Sequence, residues 1–125
     1  MRVVITGGTG FIGQKLARRL LESGKLGGTK IDEIVLFDIG APLVPIEDRR
    51  VRVMTGDIAN PANVREAIAP GTASVFHLAA VVSAQAEAEC DTGMRVKLDG
   101  TRTVLEACRA LGSAPKLVFS SSIAA

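Results

Sequence analysis

Apolar positions along this chain alternate between two periods, and each change of period marks an element. The β-branched run Val3-Val4-Ile5 reads as a short strand. From Phe11 the spacing turns helical: Leu16, Ala17, Leu20 and Leu21 share one face, while Gln14, Lys15, Arg18 and Arg19 stay wet. That helix is predicted over 11–23, with Gly24 ending it. Residues 25–32 carry Gly27-Gly28 and read as a loop, longer than a minimal connection. A second strand, Glu33-Ile34-Val35-Leu36-Phe37, ends in Asp38. Pro42 and Pro45 leave the following crossover irregular, without a helical period.

The second half of the chain continues the alternation, without an internal repeat. Val51-Arg52-Val53-Met54-Thr55 reads as a third strand, ending at Gly56-Asp57-Ile58. Asn60 is placed to cap a helix whose first residue is Pro61; it runs to about residue 69, buries Val64 and Ile68, and is broken by Pro70-Gly71. Residues 73–78 are almost continuously apolar, as a central parallel strand covered on both faces would be. Ala79-Ala80 then leave little bulk at that strand's carboxyl end. A helical pattern over 84–111 has one weak point at Asp91-Thr92-Gly93 and stops at Gly112. A fifth strand, Lys116-Leu117-Val118-Phe119, runs into Ser120-Ser121-Ser122.

Five alternations of strand and helix predict an α/β domain: a parallel sheet of about five strands, joined by right-handed crossovers and flanked by helices. Ligands of such sheets bind outside the carboxyl ends of the strands. The glycine turn, Asp38, Asp57, Ala79-Ala80 and the serines all fall at such ends, so one crevice would collect them.

The chemistry is most concentrated in Thr6-Gly7-Gly8-Thr9-Gly10-Phe11-Ile12-Gly13, which joins the first strand to the first helix. Unpaired N–H groups and the helix dipole make that junction an anion site. Glycines let the chain turn tightly and let a pyrophosphate approach without meeting a Cβ. Two registers fit, Gly8-x-Gly10-x-x-Gly13 and Gly7-x-x-Gly10-x-x-Gly13; the second starts directly after the strand and is preferred. Asp38, at the tip of the second strand, is placed to hydrogen-bond a ribose diol and to repel the extra phosphate of NADP. The cofactor expected is therefore NAD.

Composition narrows the remaining choices. A chain of 125 residues suits one domain, and 47% hydrophobic residues argue against disorder. The net charge of +2 comes from scattered basic residues, and with no Trp or Tyr a base-stacking platform is absent, so nucleic acid is not expected. No apolar run is long enough for a membrane span or placed as a signal peptide, and a cytoplasmic protein without membrane contact is expected. Cys90 and Cys108 lack metal-ligand spacing and read as reduced thiols, Cys108 on a core-facing stripe with Val104, Leu105 and Leu111. His77, within a buried strand, reads as a satisfied core residue, and Glu87, Glu89 and Asp91 as a solvated face. No metal site is expected.

In order, Thr6-Gly7-x-x-Gly10-x-x-Gly13, Asp38, Gly56-Asp57-Ile58, His77-Leu78-Ala79-Ala80, Asp99-Gly100-Thr101 and Phe119-Ser120-Ser121-Ser122 resemble the extended short-chain dehydrogenase/reductases of the NAD-dependent epimerase/dehydratase group. The resemblance covers the whole chain. It implies a Rossmann-type sheet of strand order 3-2-1-4-5. It implies a cofactor-binding set of Gly7, Gly10, Phe11, Ile12, Gly13, Asp38, Ile39, Asp57, Ile58, Leu78, Ala79, Ala80 and Ser120, with Asp57 and Ile58 flanking the adenine. Ser122 is implied as the catalytic serine.

Further likeness lies in Leu26-Gly27-Gly28, in Ala41-Pro42 after Asp38, in the run from Ala79 to Glu89, in Gly93-Met94-Arg95-Val96 and in Leu105-Glu106-Ala107-Cys108-Arg109. These imply a branch that oxidises the 2-hydroxyl of a four-carbon sugar acid, passing hydride to NAD. A nucleotide-sugar epimerase or dehydratase and a non-catalytic NAD-binding module are the alternatives.

Two departures qualify the match. Lys97 stands where the group usually has Asn, changing the donor pattern and adding charge. The Tyr-x-x-x-Lys pair expected after Ser122 is missing, and the chain holds no tyrosine. In the group that tyrosine takes the substrate hydroxyl proton, the lysine lowers its pKa and the serine orients the substrate. The chain is accordingly expected to be the N-terminal part of a longer enzyme, inactive alone, with a possible homodimer through the helix over 84–111.

Overall fold

Strands β1 (Arg2–Thr6) and β4 (Glu33–Asp38) form the centre of the structure, and both are apolar on both faces because both faces are covered. The computed structural model describes residues 1–40, 46–78, 90–112 and 115–119, with backbone alone at 90–99 and 119. Strands β5 (Val51–Thr55), β6 (Thr72–His77) and β7 (Lys116–Phe119) complete a sheet of order β5-β4-β1-β6-β7, all parallel. Numbering the five long strands in sequence gives 3-2-1-4-5, the expected order.

Alternate residues of the central strands feed two cores. Val3, Ile5, Ile34 and Leu36 pack on one face with Ala17 and Leu20 of helix α1 (Phe11–Ser23). Val4, Val35, Phe37 and Val75 pack on the other with Val64 of α2 (Pro61–Ala67) and with Val104, Ala107 and Cys108 of α3 (Cys90–Leu111). A doubly wound sheet follows from that alternation.

Local signals act as the sequence suggests at most boundaries. Gly24 ends α1 in the left-handed region (φ +71°), its N–H donating to Leu20 O at 2.8 Å. The Asn60 side chain accepts from the N–H groups of Ala62 and Asn63 at the start of α2, with Pro61 as first helical residue.

Two expectations are corrected. The stretch 25–32 is a hairpin rather than a loop: β2 (Lys25–Leu26) and β3 (Thr29–Lys30) pair antiparallel around Gly27-Gly28, whose φ values of +59° and +84° suit a tight two-residue turn. Helix α2 closes at Ala67, because the Ile68 backbone leaves helical geometry before Pro70 is reached; Ile68 itself is buried as expected. Helix α3 is described from Cys90, so Asp91-Thr92-Gly93 stand in its first described turn, and the course of the chain before them lies outside the described residues. Residues 84–89, Pro42 and Pro45 lie outside the described residues.

Parallel register brings the strand ends level. Thr6 stands beside Phe37 on one side and His77 on the other, and Asp38 stands beside Thr55. What lies past these residues, at the carboxyl edge, is the candidate site.

Candidate cofactor-binding site

The turn after β1 uses four glycines, each for a different reason. Gly7 adopts φ +70°, and its carbonyl accepts from the Gly10 N–H at 3.2 Å. A Cβ on Gly8 would lie 2.8 Å from Ile5 O and from Leu36 Cα, so this residue packs flat on the sheet while its N–H donates to Phe37 O. A Cβ on Gly13 would lie 2.4 Å from Gly7 O and 2.7 Å from Gly8 Cα. Gly10 is different: its Cβ would meet only Gly7 O, at 3.4 Å, and it faces the open side. Both registers read from the sequence are therefore used together.

Helix α1 starts from Gly10 in extended geometry, with no side-chain cap and no acidic residue in its first turn. Gln14 makes the first N–H bond of the helix itself, to Gly10 O at 3.0 Å. The amides of 11–13 precede it at the positive end of the helix dipole, which is the arrangement that receives a phosphate. Phe11 and Ile12 are 75% and 61% exposed, so two large apolar side chains flank the helix start without entering the core.

Asp38 closes the other side. Its Oδ2 accepts from the Thr9 hydroxyl at 2.8 Å and the Thr9 N–H at 3.3 Å, and its Oδ1 accepts from the Ile39 N–H at 2.7 Å. The glycine turn and the tip of β4 are thus tied by a charge-assisted hydrogen bond. Ile39 is 81% exposed beside it. The Asp38 carbonyl accepts from the Gly56 N–H at 2.9 Å, which brings the turn after β5 alongside. There Asp57 Oδ1 accepts from the Ala59 N–H, and the Asp57 N–H donates to Asn63 Oδ1. Ile58 is only 8% exposed and packs in the core; a Cβ on Gly100 would come 3.1 Å from its Cγ2, so Gly100 lets α3 lie against it.

At the end of β6, His77 is buried between strand and helix. Its Nδ1 is 2.7 Å from the Thr6 hydroxyl, which also accepts from the Leu78 N–H, and its Nε2 is 3.4 Å from the Thr101 hydroxyl on α3. Burial pushes its pKa below the ordinary 6.5. The unfolded imidazole therefore takes up a proton before the folded one does. Stability from this residue is complete above pH 6.5 and is lost as pH falls through and below that value, until the folded ring also protonates. Urea titrations at pH 7.5 and 5.5 (on the order of one pH unit either side) are expected to give a larger acid loss for the parent than for His77→Gln. Equal losses would mean that His77 does not carry this pH dependence. Cys108 is a free, buried thiol whose pKa burial raises, in keeping with a core role.

The structure thus brings Gly7, Gly10, Phe11, Ile12, Gly13, Asp38 and Ile39 together at one edge, with Asp57 and Leu78 on neighbouring strand ends. Ala79, Ala80, Ser120 and Ser122 lie outside the described residues, as do Glu87 and Glu89. Sequence reasoning passed over Thr9, whose hydroxyl holds the Asp38 carboxylate, and Thr6, which anchors His77. The available signal for Thr9 was its place as the single side chain between Gly8 and Gly10. Among the described residues no His, Cys, Asp and Glu cluster is placed to hold a metal, and no helix is long and apolar enough to cross a membrane.

Comparison with known proteins agrees with this geometry. The profile of the 3-beta hydroxysteroid dehydrogenase/isomerase family matches residues 4–125. A D-erythronate dehydrogenase of Cupriavidus necator is 52% identical over 99% of this chain and 39% of its own length. The chain thus spans about two fifths of the length of that curated relative. Among solved structures, a nucleoside-diphosphate-sugar epimerase from Agrobacterium tumefaciens superposes with TM-score 0.82 at 36% identity, covering 99% of this chain and 38% of its own. A UDP-glucose 4-epimerase from Thermus thermophilus, in complex with NAD, gives TM-score 0.76 at 31% identity, covering 97% and 37%.

Proposed function

This chain belongs to the 3-beta hydroxysteroid dehydrogenase/isomerase family, and from that premise we propose that it is the NAD-binding part of a dehydrogenase that oxidises the 2-hydroxyl of a small sugar acid, D-erythronate to 2-oxo-erythronate. The observation that carries the cofactor reading is the Asp38 carboxylate fixed by Thr9 across the mouth of an uncapped helix N-terminus.

The residues present fit a dinucleotide. A side chain on Gly7, Gly8 or Gly13 would be strained or would collide with the turn, whereas the side beside Gly10 is open for a phosphate to meet backbone. The amides of the first turn of α1 would hold the pyrophosphate, and Asp38 would accept from the adenosine ribose hydroxyls. Ile39 and Asp57 would line the adenine end, with the main chain of Ile58 beside them while its side chain packs in the core; Leu78, Ala79, Ala80 and Ser120 would continue the site. The chemistry NAD supplies when bound is hydride acceptance. Ser122 would orient the substrate hydroxyl. No tyrosine is present among the 125 residues to take its proton.

Electrostatics decide between the two nicotinamide cofactors. One unit-charge pair at about 4 Å is worth about 1 kcal/mol even in water, so a phosphate of nearly two charges facing Asp38 costs about 2 kcal/mol or more. That is roughly a thirtyfold preference for NAD. Calorimetric titration of the 125-residue chain is expected to detect NAD binding stronger than NADP binding by at least that order. Asp38→Ala is expected to weaken NAD about ten- to a hundredfold, the loss of hydrogen bonds to a charged acceptor, while leaving NADP equal or improved. A folded chain that ignores both cofactors would overturn the reading.

The likeness to the Agrobacterium epimerase favours a second reading, in which the same cofactor site serves a nucleotide-sugar epimerase or dehydratase. The 52% identity to the sugar-acid dehydrogenase, against 36% to the epimerase, supports the first. Where the reading frame continues past Ala125, the longer product is expected to reduce NAD with D-erythronate; turnover of a UDP-sugar instead would favour the second.

A further inference from the structure

We propose that Thr9 is the positioning residue that sets cofactor choice, acting through Asp38; the inference rests on the dinucleotide reading above. An aspartate's terminal torsion is broad, so a carboxylate at a strand tip has no fixed aim of its own. Here both oxygens are fixed. Oδ2 takes the Thr9 hydroxyl at 2.8 Å and, more weakly, the Thr9 N–H at 3.3 Å; Oδ1 takes the Ile39 N–H at 2.7 Å. Of the roughly four lone-pair sites on a carboxylate, three are engaged, and the free one is on Oδ1.

Thr9 is itself held independently of its hydroxyl. Its carbonyl accepts from Gln14 Nε2 at 3.3 Å, and the glycines on either side are fixed by Gly8 N–H to Phe37 O and Gly10 N–H to Gly7 O. Removing the hydroxyl therefore loosens Oδ2, leaving it only the weaker Thr9 N–H bond at 3.3 Å, without dismantling the turn. A carboxylate pinned in this way presents Oδ1 to a ribose hydroxyl, and cannot swing away from a phosphate attached at the same place. A loosened carboxylate aims less well: it must be ordered for NAD and can turn partly away from NADP.

The test measures dissociation constants for NAD and NADP in the 125-residue chain and its Thr9→Val, Thr9→Ser, Asp38→Asn and Thr9→Val/Asp38→Asn variants, with melting curves for each. Thr9→Val is expected to weaken NAD roughly five- to tenfold and NADP less, lowering the NAD preference, and Thr9→Ser to restore it. In the Asp38→Asn background the same substitution is expected to change NAD binding less than about twofold, because its effect passes through the carboxylate. Should valine disturb the loop, Thr9→Ala removes the hydroxyl with less bulk and reports the same ratio. Equal weakening of both cofactors, or an undiminished effect in Asp38→Asn, would overturn the role of Thr9 while leaving the site reading intact. NAD binding indifferent to Asp38→Asn would instead overturn the ribose reading, and this inference with it.

Discussion

A Gly13→Ala variant is expected to melt well below the parent and to lose NAD binding by at least about a hundredfold. Helix propensity alone predicts the opposite, since alanine in a helix interior is favoured over glycine by about 1 kcal/mol. The added Cβ, however, would stand 2.4 Å from Gly7 O and 2.7 Å from Gly8 Cα. Neither atom belongs to a side chain that can rotate aside. Overpacking costs typically 1–3 kcal/mol, and where only backbone can yield, the upper end of roughly 3 kcal/mol applies. The net loss of about 2 kcal/mol corresponds to a fall of roughly 8 °C in melting temperature. Relief comes only by moving the turn that carries the amides proposed to face the phosphate, so affinity is expected to fall with stability. Gly10→Ala is the control: its Cβ would make only ordinary contact, so the fold is expected to hold. Calorimetric melting of both variants checks the contrast; a Gly13→Ala chain as stable as Gly10→Ala would refute it.

Phe37→Ala is expected to cost about 3–5 kcal/mol, the largest stability loss of any single truncation in the sheet. Phe37 is among the largest fully buried side chains, on the face covered by α2 and α3, and a Cβ on Gly56 would lie 3.0 Å from its Cε2. It also precedes Asp38, and its carbonyl receives the Gly8 N–H. The cavity therefore opens beneath the junction of two site elements. Against a total of roughly 5–15 kcal/mol for a domain, such a loss leaves a marginal fold. A shift in the urea midpoint equivalent to less than about 1 kcal/mol would mean that the neighbouring side chains collapse into the space.

How far the sequence predicts these elements depends on whether the responsible signal is local. The strands β1 and β4 are legible because residues covered on both faces leave an unbroken apolar run. Gly24 and Asn60-Pro61 act within one turn of their own helices, and their effect is readable without the rest of the chain. The hairpin at 25–30 is not legible in this way: Lys-Leu and Thr-Lys carry no alternation, and only the positive φ values of Gly27 and Gly28 reveal the turn. Ile58 follows a strand end, and nothing local shows that α3, far along the chain, packs over its side chain. The Thr9–Asp38 bond joins residues 29 apart, and no periodicity encodes a contact of that kind.

The ties from Gly8 to Phe37 and from Thr9 to Asp38 have a kinetic consequence. They join the proposed phosphate-binding turn to the neighbouring strand before any ligand arrives, so little of the binding energy is spent on ordering that turn. Encounter then needs no closure of this turn, and substitutions within it should leave the association rate nearly constant. Their effects will appear in how long the dinucleotide stays bound.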